Sequence, residues 1–302
     1  MKRSFTLLFG LCLIGSYLHA QQLPQYSQYI LNKYVINPAS AGENDFFVGQ
    51  TNYRAQWTGI KDAPNTYILS ANGRLKNQNM GVGGYLFSDV TGPIKRNGAN
   101  FSYAYHLKLT DDLKLSFAIN AGILQYTVDG SEITFVDESD RIRSALPESS
   151  IYPDAGFSLY LYADNYFFGA SSPQLLQNQL SFQHSLDDPK GRLINHYFIT
   201  AGYTFNIDQN FSIEPSSLLK YVKPLPLQYE FSLRGIYRDM AWLGLSYRKD
   251  DAIVLMAGYT LQDNLTFGYA YDFIQSGLQK YSSGSHEIML SFKFVKPKEN
   301  LH

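Results

Sequence analysis

Apolar and polar positions alternate with a period of two along most of the chain after residue 42. Residues 101–109 read FSYAYHLKL, residues 265–272 read LTFGYAYD and residues 288–294 read IMLSFKF. Successive side chains of a β-strand point to opposite faces, so each run has one apolar face and one mostly polar face. The pattern predicts an all-β chain without long helices.

The alternation predicts fourteen strands, and the connections between them differ in length on alternate sides. Short polar turns such as Asp111–Asp112 and Arg238–Asp239 follow every second strand, whereas most other connections are longer. The strands are predicted near residues 45–57, 65–75, 80–88, 97–109, 113–128, 154–163, 165–171, 193–206, 210–220, 228–237, 240–248, 252–260, 264–272 and 285–295. The longer connections are predicted at residues 58–64, 89–96, 129–153, 172–192, 221–227 and 273–284.

This parity of turn lengths is typical of outer-membrane proteins. Transmembrane barrels of the outer membrane have short periplasmic turns, longer outer loops and an even number of antiparallel strands. A soluble β-sandwich predicts no such parity. The sequence therefore predicts a transmembrane up-and-down antiparallel β-barrel of about 14 strands, with long extracellular loops and short periplasmic turns.

The first twenty residues resemble a secretory leader. Lys2 and Arg3 precede an apolar run from Leu7 to Ile14, and Ala20 supplies a small residue for cleavage. The run is too short to cross a bilayer as a helix. We therefore expect a signal peptide at residues 1–20, an N-terminal periplasmic or plug segment at 21–44, a barrel at 45–295 and a periplasmic tail at 296–302.

Composition removes several classes of function. Cys12 is the only cysteine among 302 residues and leaves with the predicted leader, which excludes disulfides, thiolate metal sites and a cysteine nucleophile. The 25 basic and 26 acidic residues form no basic block, so no nucleic-acid partner is expected. The expected location is the outer membrane, with its lipid as one partner.

Little in the sequence points to catalysis or to a bound cofactor. His184, Ser185 and Asp187 are the one compact set with the residue types of a catalytic triad, but neighbours on one short stretch seldom reach triad geometry. The acidic stretch FVDESDR lacks the bidentate glutamate of a calcium loop. We expect no enzymatic activity, no metal site and no cofactor.

Several charged residues fall on the polar face of predicted strands. Charge on the lipid face costs about 2–4 kcal/mol at mid-membrane, so these side chains are expected to point into the lumen. The cations are Arg74, Lys108, Lys114, Arg234, Arg248 and Lys293, and the carboxylates expected to pair with them are Glu214, Glu230 and Glu287. A selective pore and a plugged, charge-paired interior both fit, and the second is favoured.

Three separated stretches resemble the PorP/SprF family of Bacteroidota outer-membrane proteins. The first two are QYSQY at residues 25–29 with NPASAG at 37–42, and YRAQWTGIKDAPNTY at 53–67. The third is the ending SSGSHEIMLSFKF at 282–294. The residues that carry the resemblance are Gln25, Tyr26, Ser27, Gln28, Tyr29, Asn37, Pro38, Ala41, Gly42, Arg54, Gln56, Trp57 and Pro64.

The resemblance implies a component of the type IX secretion system. Such a protein would support export or surface anchoring of cargo of the gliding-adhesin type, or link the outer membrane to the periplasmic machine. Its partners would be machine subunits or a secreted cargo protein with a C-terminal targeting domain. The opening segment would be a plug or periplasmic strap, or alternatively a passive arm. The other function that fits the composition is a general porin or small-solute channel.

The longest connections between strands hold apolar residues among polar ones. Such residues, when exposed, often mark interaction sites. The candidate partner contacts are Ile133, Phe135, Ile142, Leu175, Leu176 and Phe182. The alternative is that these loops fold inward and seal the lumen.

Overall fold

The structure is a computed structural model that describes residues 24–76, 79–132, 147–180 and 192–294. Within these ranges the protein is almost entirely β. The strands are β1 (Phe47–Ala55), β2 (Asn65–Arg74), β3 (Met80–Thr91), β4 (Ile94–Lys108), β5 (Lys114–Val128), β6 (Glu148–Tyr162), β7 (Tyr166–Ser172), β8 (His196–Tyr203), β9 (Phe205–Asn206), β10 (Phe211–Val222), β11 (Gln228–Tyr237), β12 (Ala241–Arg248), β13 (Ala252–Leu261), β14 (Leu265–Ile274) and β15 (Ser285–Phe294).

The strands close into a single antiparallel barrel. Each strand pairs with its neighbours in sequence, and β15 returns to pair with β1 from Phe47–Phe294 to Ala55–His286. We call this β1–β15 pairing the seam. Because β8 and β9 both pair with β10 and are separated by Thr204 alone, they form one interrupted strand. The prediction of a fourteen-stranded up-and-down barrel is therefore confirmed.

The two rims of the barrel differ in the length of their connections. The described residues of the short-turn rim are 75–76, 79, 109–113, 163–165, 207–210, 238–240 and 262–264. Those of the long-loop rim are 56–64, 92–93, 129–132, 147, 173–180, 192–195, 223–227, 249–251 and 275–284. The predicted loop at 89–96 is wrong: β3 and β4 continue pairing up to Thr91–Ile94, and Gly92 has a φ of +51° in the two-residue turn between them.

The outer face of the wall is apolar and the inner face is polar. On β4, Phe101 and Tyr103 point outward, whereas Asn100 and Ser102 are buried in the lumen. A closed barrel satisfies all of its wall backbone groups, which is the condition for strands to lie in lipid. No helix of the described residues is long and apolar enough to cross a membrane.

A segment without β-structure lies inside the barrel. Residues 24–42, which we call the strap, contain a one-turn helix α1 (Lys33–Ile36) and a 3₁₀ turn (Pro38–Ser40). The helix ends before Asn37, because a proline disfavours helical geometry at the residue that precedes it. Residues 43–46 then lead from the strap to the start of β1 at the short-turn rim.

Candidate functional site: the strap and the seam cluster

The first part of the strap is held by charged side chains at the outer end of the seam. The backbone N–H of Ser27 donates to Glu287 Oε2 over 2.7 Å, and the N–H of Gln28 donates to Glu287 Oε1 over 3.2 Å. The Ser27 hydroxyl donates to Asp272 Oδ1 over 2.8 Å. It also accepts hydrogen bonds from Arg54 Nη1 at 2.7 Å and from Arg248 Nη2 at 3.1 Å.

The charged side chains around Ser27 form one buried network. Arg54 Nη2 lies 2.7 Å from Asp272 Oδ2, and Arg248 Nη1 lies 2.9 Å from the same oxygen. Arg248 also pairs with Glu230 at 2.9 Å, and Arg54 with Glu287 at 3.5 Å. We call Arg54, Glu230, Arg248, Asp272 and Glu287 the seam cluster. Each of the five residues is at most 2% exposed, so solvent does not screen these charges.

The strap supplies hydrogen-bond donors to the seam cluster, whose carboxylates outnumber its guanidinium groups. Two guanidinium groups face three carboxylates, so the cluster holds one cation fewer than anions. Buried carboxylates need hydrogen-bond donors in place of water. Glu287 receives them from Ser27, Gln28 and the Asn52 side chain. The strap therefore solvates the carboxylate that the arginines leave least neutralised.

The middle of the strap crosses the lumen and is held by hydrogen bonds between uncharged side chains. Asn32 Nδ2 donates to Asn52 Oδ1 on β1 at 3.0 Å and to Ser70 Oγ on β2 at 3.1 Å. The Tyr34 hydroxyl lies 2.8 Å from Ser102 Oγ on β4. Desolvation raises the pKa of the Tyr34 phenol, so its hydroxyl keeps its proton as a hydrogen-bonding group.

The end of the strap is fixed to the opposite wall. Asn37 Nδ2 donates to the Leu159 carbonyl on β6 at 2.9 Å, while Asn37 Oδ1 accepts the N–H of Ala39 and caps the 3₁₀ turn. His106 Nε2 lies 2.9 Å from the carbonyl oxygen of Ala41. A Cβ on Gly81 would overlap that same carbonyl group, so the wall approaches the strap most closely there.

Three further family-motif residues, Gln56, Trp57 and Pro64, shape the long-loop rim at the end of the seam. The Gln56 N–H donates to the Pro64 carbonyl at 2.9 Å, which closes the loop 56–64. Trp57, with a φ of +49°, donates its N–H to Ser285 Oγ at 3.0 Å. The three stretches that carry the family resemblance therefore meet at the outer end of the seam, although residues 37–42 lie on the far wall.

The remaining motif residues lie along the strap. Tyr29 and Tyr26 pack with Ile30, Ile36 and Phe198, and Gln25 is half-buried beside them. The Tyr29 hydroxyl lies 3.3 Å from Ser232 Oγ on β11. Pro38 is the first residue of the 3₁₀ turn, and Gly42 takes a φ of +79° where the chain turns toward β1.

The loop candidates are only partly described by the structure. Leu175 and Leu176 are 41% and 50% exposed, and the Leu175 N–H donates to the Ala155 carbonyl on β6. Leu180 and Leu193 of the same connection point inward and pack against residues of β5 and β6. The other candidates lie outside the described residues: Ile133, Phe135, Ile142, Phe182, the His184–Ser185–Asp187 group and all of FVDESDR at 135–141.

The charge predictions were right in part and incomplete in part. Arg234 pairs with Glu214 at 3.0 Å and Arg248 with Glu230, as the alternation indicates. Glu287 pairs instead with Arg54, which the sequence singled out only as a motif residue. Asp272 was missed, although its acidic side chain at an inward position of an otherwise apolar strand was a usable signal.

A family model of type IX secretion system membrane proteins, PorP/SprF, matches residues 18–292 of the chain. The chain belongs to the PorP/SprF family. It is accordingly an outer-membrane β-barrel of the type IX secretion system. No curated protein sequence matches the chain.

Solved outer-membrane barrels share the fold of this family member. The CymD monoaromatic hydrocarbon channel is 12% identical with a TM-score of 0.54, over 90% of this chain and 94% of that one. The toluene transporter TbuX of Ralstonia pickettii is 11% identical with a TM-score of 0.50, over 86% and 92% of the two chains. At these identities the likeness concerns the fold alone.

Proposed function

We propose that this PorP/SprF barrel is a plugged scaffold that supports export or surface anchoring of type IX cargo, and does not itself conduct solutes. The short-turn rim faces the periplasm and the machine, and the long-loop rim faces the cell surface. Machine subunits or a cargo protein with a C-terminal targeting domain are its partners. The chain has no enzymatic role in this proposal.

The observation that carries the proposal is the occupation of the lumen by the strap. Its hydrogen bonds reach β1, β2, β4, β6, β7, β11, β14 and β15, which lie on all sides of the barrel. A segment bound to so many strands crosses the lumen, which is the arrangement that a plug requires. A scaffold that presents its two rims to different partners needs no such path.

A small-solute channel is the alternative, and one feature favours it. On the short-turn side of the strap lies a polar cavity of about 270 Å³. Its lining includes Lys33, Glu43, Gln50, Asn72 and Arg234, a mixture of charges and amides that would suit a hydrated solute. A channel would require the strap to leave an aqueous route past this cavity.

Deletion of residues 24–42 separates the two functions. We expect the intact protein to show no steady conductance in planar bilayers and the deletion variant to conduct. In cells, the deletion variant should still reach the outer membrane but should lose cargo from the surface. Conductance of the intact barrel together with unchanged cargo display after deletion would support the channel and contradict the scaffold.

A full-length variant serves as the matched control. Tyr34→Phe removes one hydroxyl from the strap and leaves the strap in the lumen, so it should neither conduct nor release cargo. Loss of cargo from this variant as well would mean that the assay reports barrel stability rather than the strap.

A further inference from the structure

The seam cluster is assembled from strands on both sides of the closing pair. Arg54 stands on β1 and Glu287 on β15, and the two residues are direct register partners across the seam. Asp272 and Arg248 stand on β14 and β12. The site that holds Ser27 and Gln28 therefore exists only after β15 has paired with β1.

The cluster also distinguishes the correct register from its nearest alternatives. A slip of one residue would turn Glu287 from the lumen to the lipid face, because side chains alternate along a strand. A slip of two residues would keep it inside but move it about 7 Å along the strand. The 2.7 Å bond from the Ser27 N–H to Glu287 would be lost in either case.

The strap bonds to the cluster from inside the lumen. Ser27 contacts Arg54 of β1 and Glu287 of β15 at once, and its hydroxyl reaches Asp272 on the next strand. Asn52 on β1 adds a bond to Glu287 and another to Asn32 of the strap. The buried polar groups of the strap and of the seam thus bond to each other. Loss of either one leaves buried polar or charged groups of the other without hydrogen-bond partners.

From this geometry we propose that Ser27 and Gln28 form a latch that holds the seam shut in a single register. The latch binds the seam cluster once β15 has docked on β1, so insertion of the strap stabilises a seam that has already closed in this register. The far half of the strap, at Tyr34 and Asn37, anchors the segment but takes no part in the latch. This role is independent of whether the barrel serves cargo or solutes.

Hydrogen exchange of the full-length barrel in detergent tests the latch. Ser27→Ala removes the hydroxyl that Arg54, Arg248 and Asp272 share, and Tyr34→Phe removes a buried hydroxyl that bonds to β4. Loss of a buried bond to charged groups changes an opening equilibrium by about tenfold or more. We expect Ser27→Ala to accelerate exchange in β1 and β15 by about tenfold and to leave β4 and β5 unchanged. Tyr34→Phe should not accelerate exchange at the seam.

A disulfide across the seam provides the second measurement. Thr51 and Leu290 are outward-facing register partners, and directly opposite strand residues have the Cα spacing that a disulfide needs. Apart from Cys12 in the predicted leader, the chain contains no other cysteine. In the oxidised Thr51→Cys, Leu290→Cys background, Ser27→Ala should exchange at the seam like the cross-linked parent.

Each outcome of these experiments decides the proposal. The latch is supported if Ser27→Ala accelerates hydrogen exchange only in β1 and β15 and the disulfide suppresses that acceleration. Equal acceleration of the seam and of β4 and β5 in Ser27→Ala, or persistence of seam exchange under the disulfide, would overturn it. If Ser27→Ala assembles only in the cross-linked background, the latch is supported, and failure to assemble in both backgrounds counts against it.

Discussion

Asp272 is the residue whose replacement should destabilise the barrel most. Its carboxylate is fully buried and pairs with Arg54 at 2.7 Å and with Arg248 at 2.9 Å. Asp272→Asn keeps the volume but removes the charge, and its NH₂ group must face either the two guanidinium groups or the donating Ser27 hydroxyl. Removing one partner of a buried ion pair costs about 3–5 kcal/mol. Because Arg54 retains Glu287, and Arg248 retains Glu230 and Asp251, we expect the lower end of that range, about 3 kcal/mol.

Urea unfolding in lipid vesicles at neutral pH measures this cost. The two tryptophans, Trp57 and Trp242, pack in one cluster with residues of β13 and β14, so their fluorescence reports on this part of the barrel. Asp111→Asn is the control, since Asp111 pairs with Lys108 in an exposed turn. Its unfolding midpoint should match that of the wild type, because exposed pairs contribute little.

The reasoning fails if the free energy of unfolding of Asp272→Asn lies within about 1 kcal/mol of the wild-type value, because that is the usual contribution of an exposed ion pair. That result would mean that water enters the seam cluster and screens its charges. If Asp111→Asn shifted the unfolding midpoint by the same amount, the destabilisation would be due to the change in net charge of the protein.

Three other experiments test separate parts of the structure. The native protein should migrate faster than the boiled protein on a gel, because closed hydrogen bonding keeps a barrel folded in mild detergent, and identical migration would contradict closure. Gly81→Ala, whose Cβ would overlap the Ala41 carbonyl, should cost about 1–3 kcal/mol in unfolding free energy, whereas Gly277→Ala, with open space around it, should be neutral. Replacing Leu175 and Leu176 by serine should reduce cargo retention without changing assembly, and unchanged retention would show that neither residue contacts the cargo.

The strands and their number were predictable because alternation is a local property of the sequence. In β14 and β15 most inward residues are small or polar and most outward ones are large and apolar, and the observed boundaries lie within two residues of those expected. The turn at Gly92 was misplaced since residues 89–96 mix polar and apolar types without a clear period. Residues 89–91 and 94–96 instead extend β3 and β4 on either side of the two-residue turn.

The partners inside the lumen were not predictable from the same pattern. Alternation places Arg54 and Asp272 on the inward face but carries no information on which strands face each other across the lumen. Their distance depends on barrel radius and register, which are properties of the whole wall. The path of the strap depends on these contacts too, so residues 25–42 could be recognised by their resemblance to a family but not placed.

The seam also fixes when this protein can finish folding. β1 lies within the first fifth of the chain, and β15 is almost the last part to be made. At about 5–20 residues per second, synthesis of the chain takes roughly 15–60 seconds. From the synthesis of β1 until that of β15, the seam edge of β1 has no partner strand. Exposed edges promote pairing between chains. A chain truncated before Ser285 is therefore not a smaller barrel but an open sheet with two free edges, at β1 and at β14.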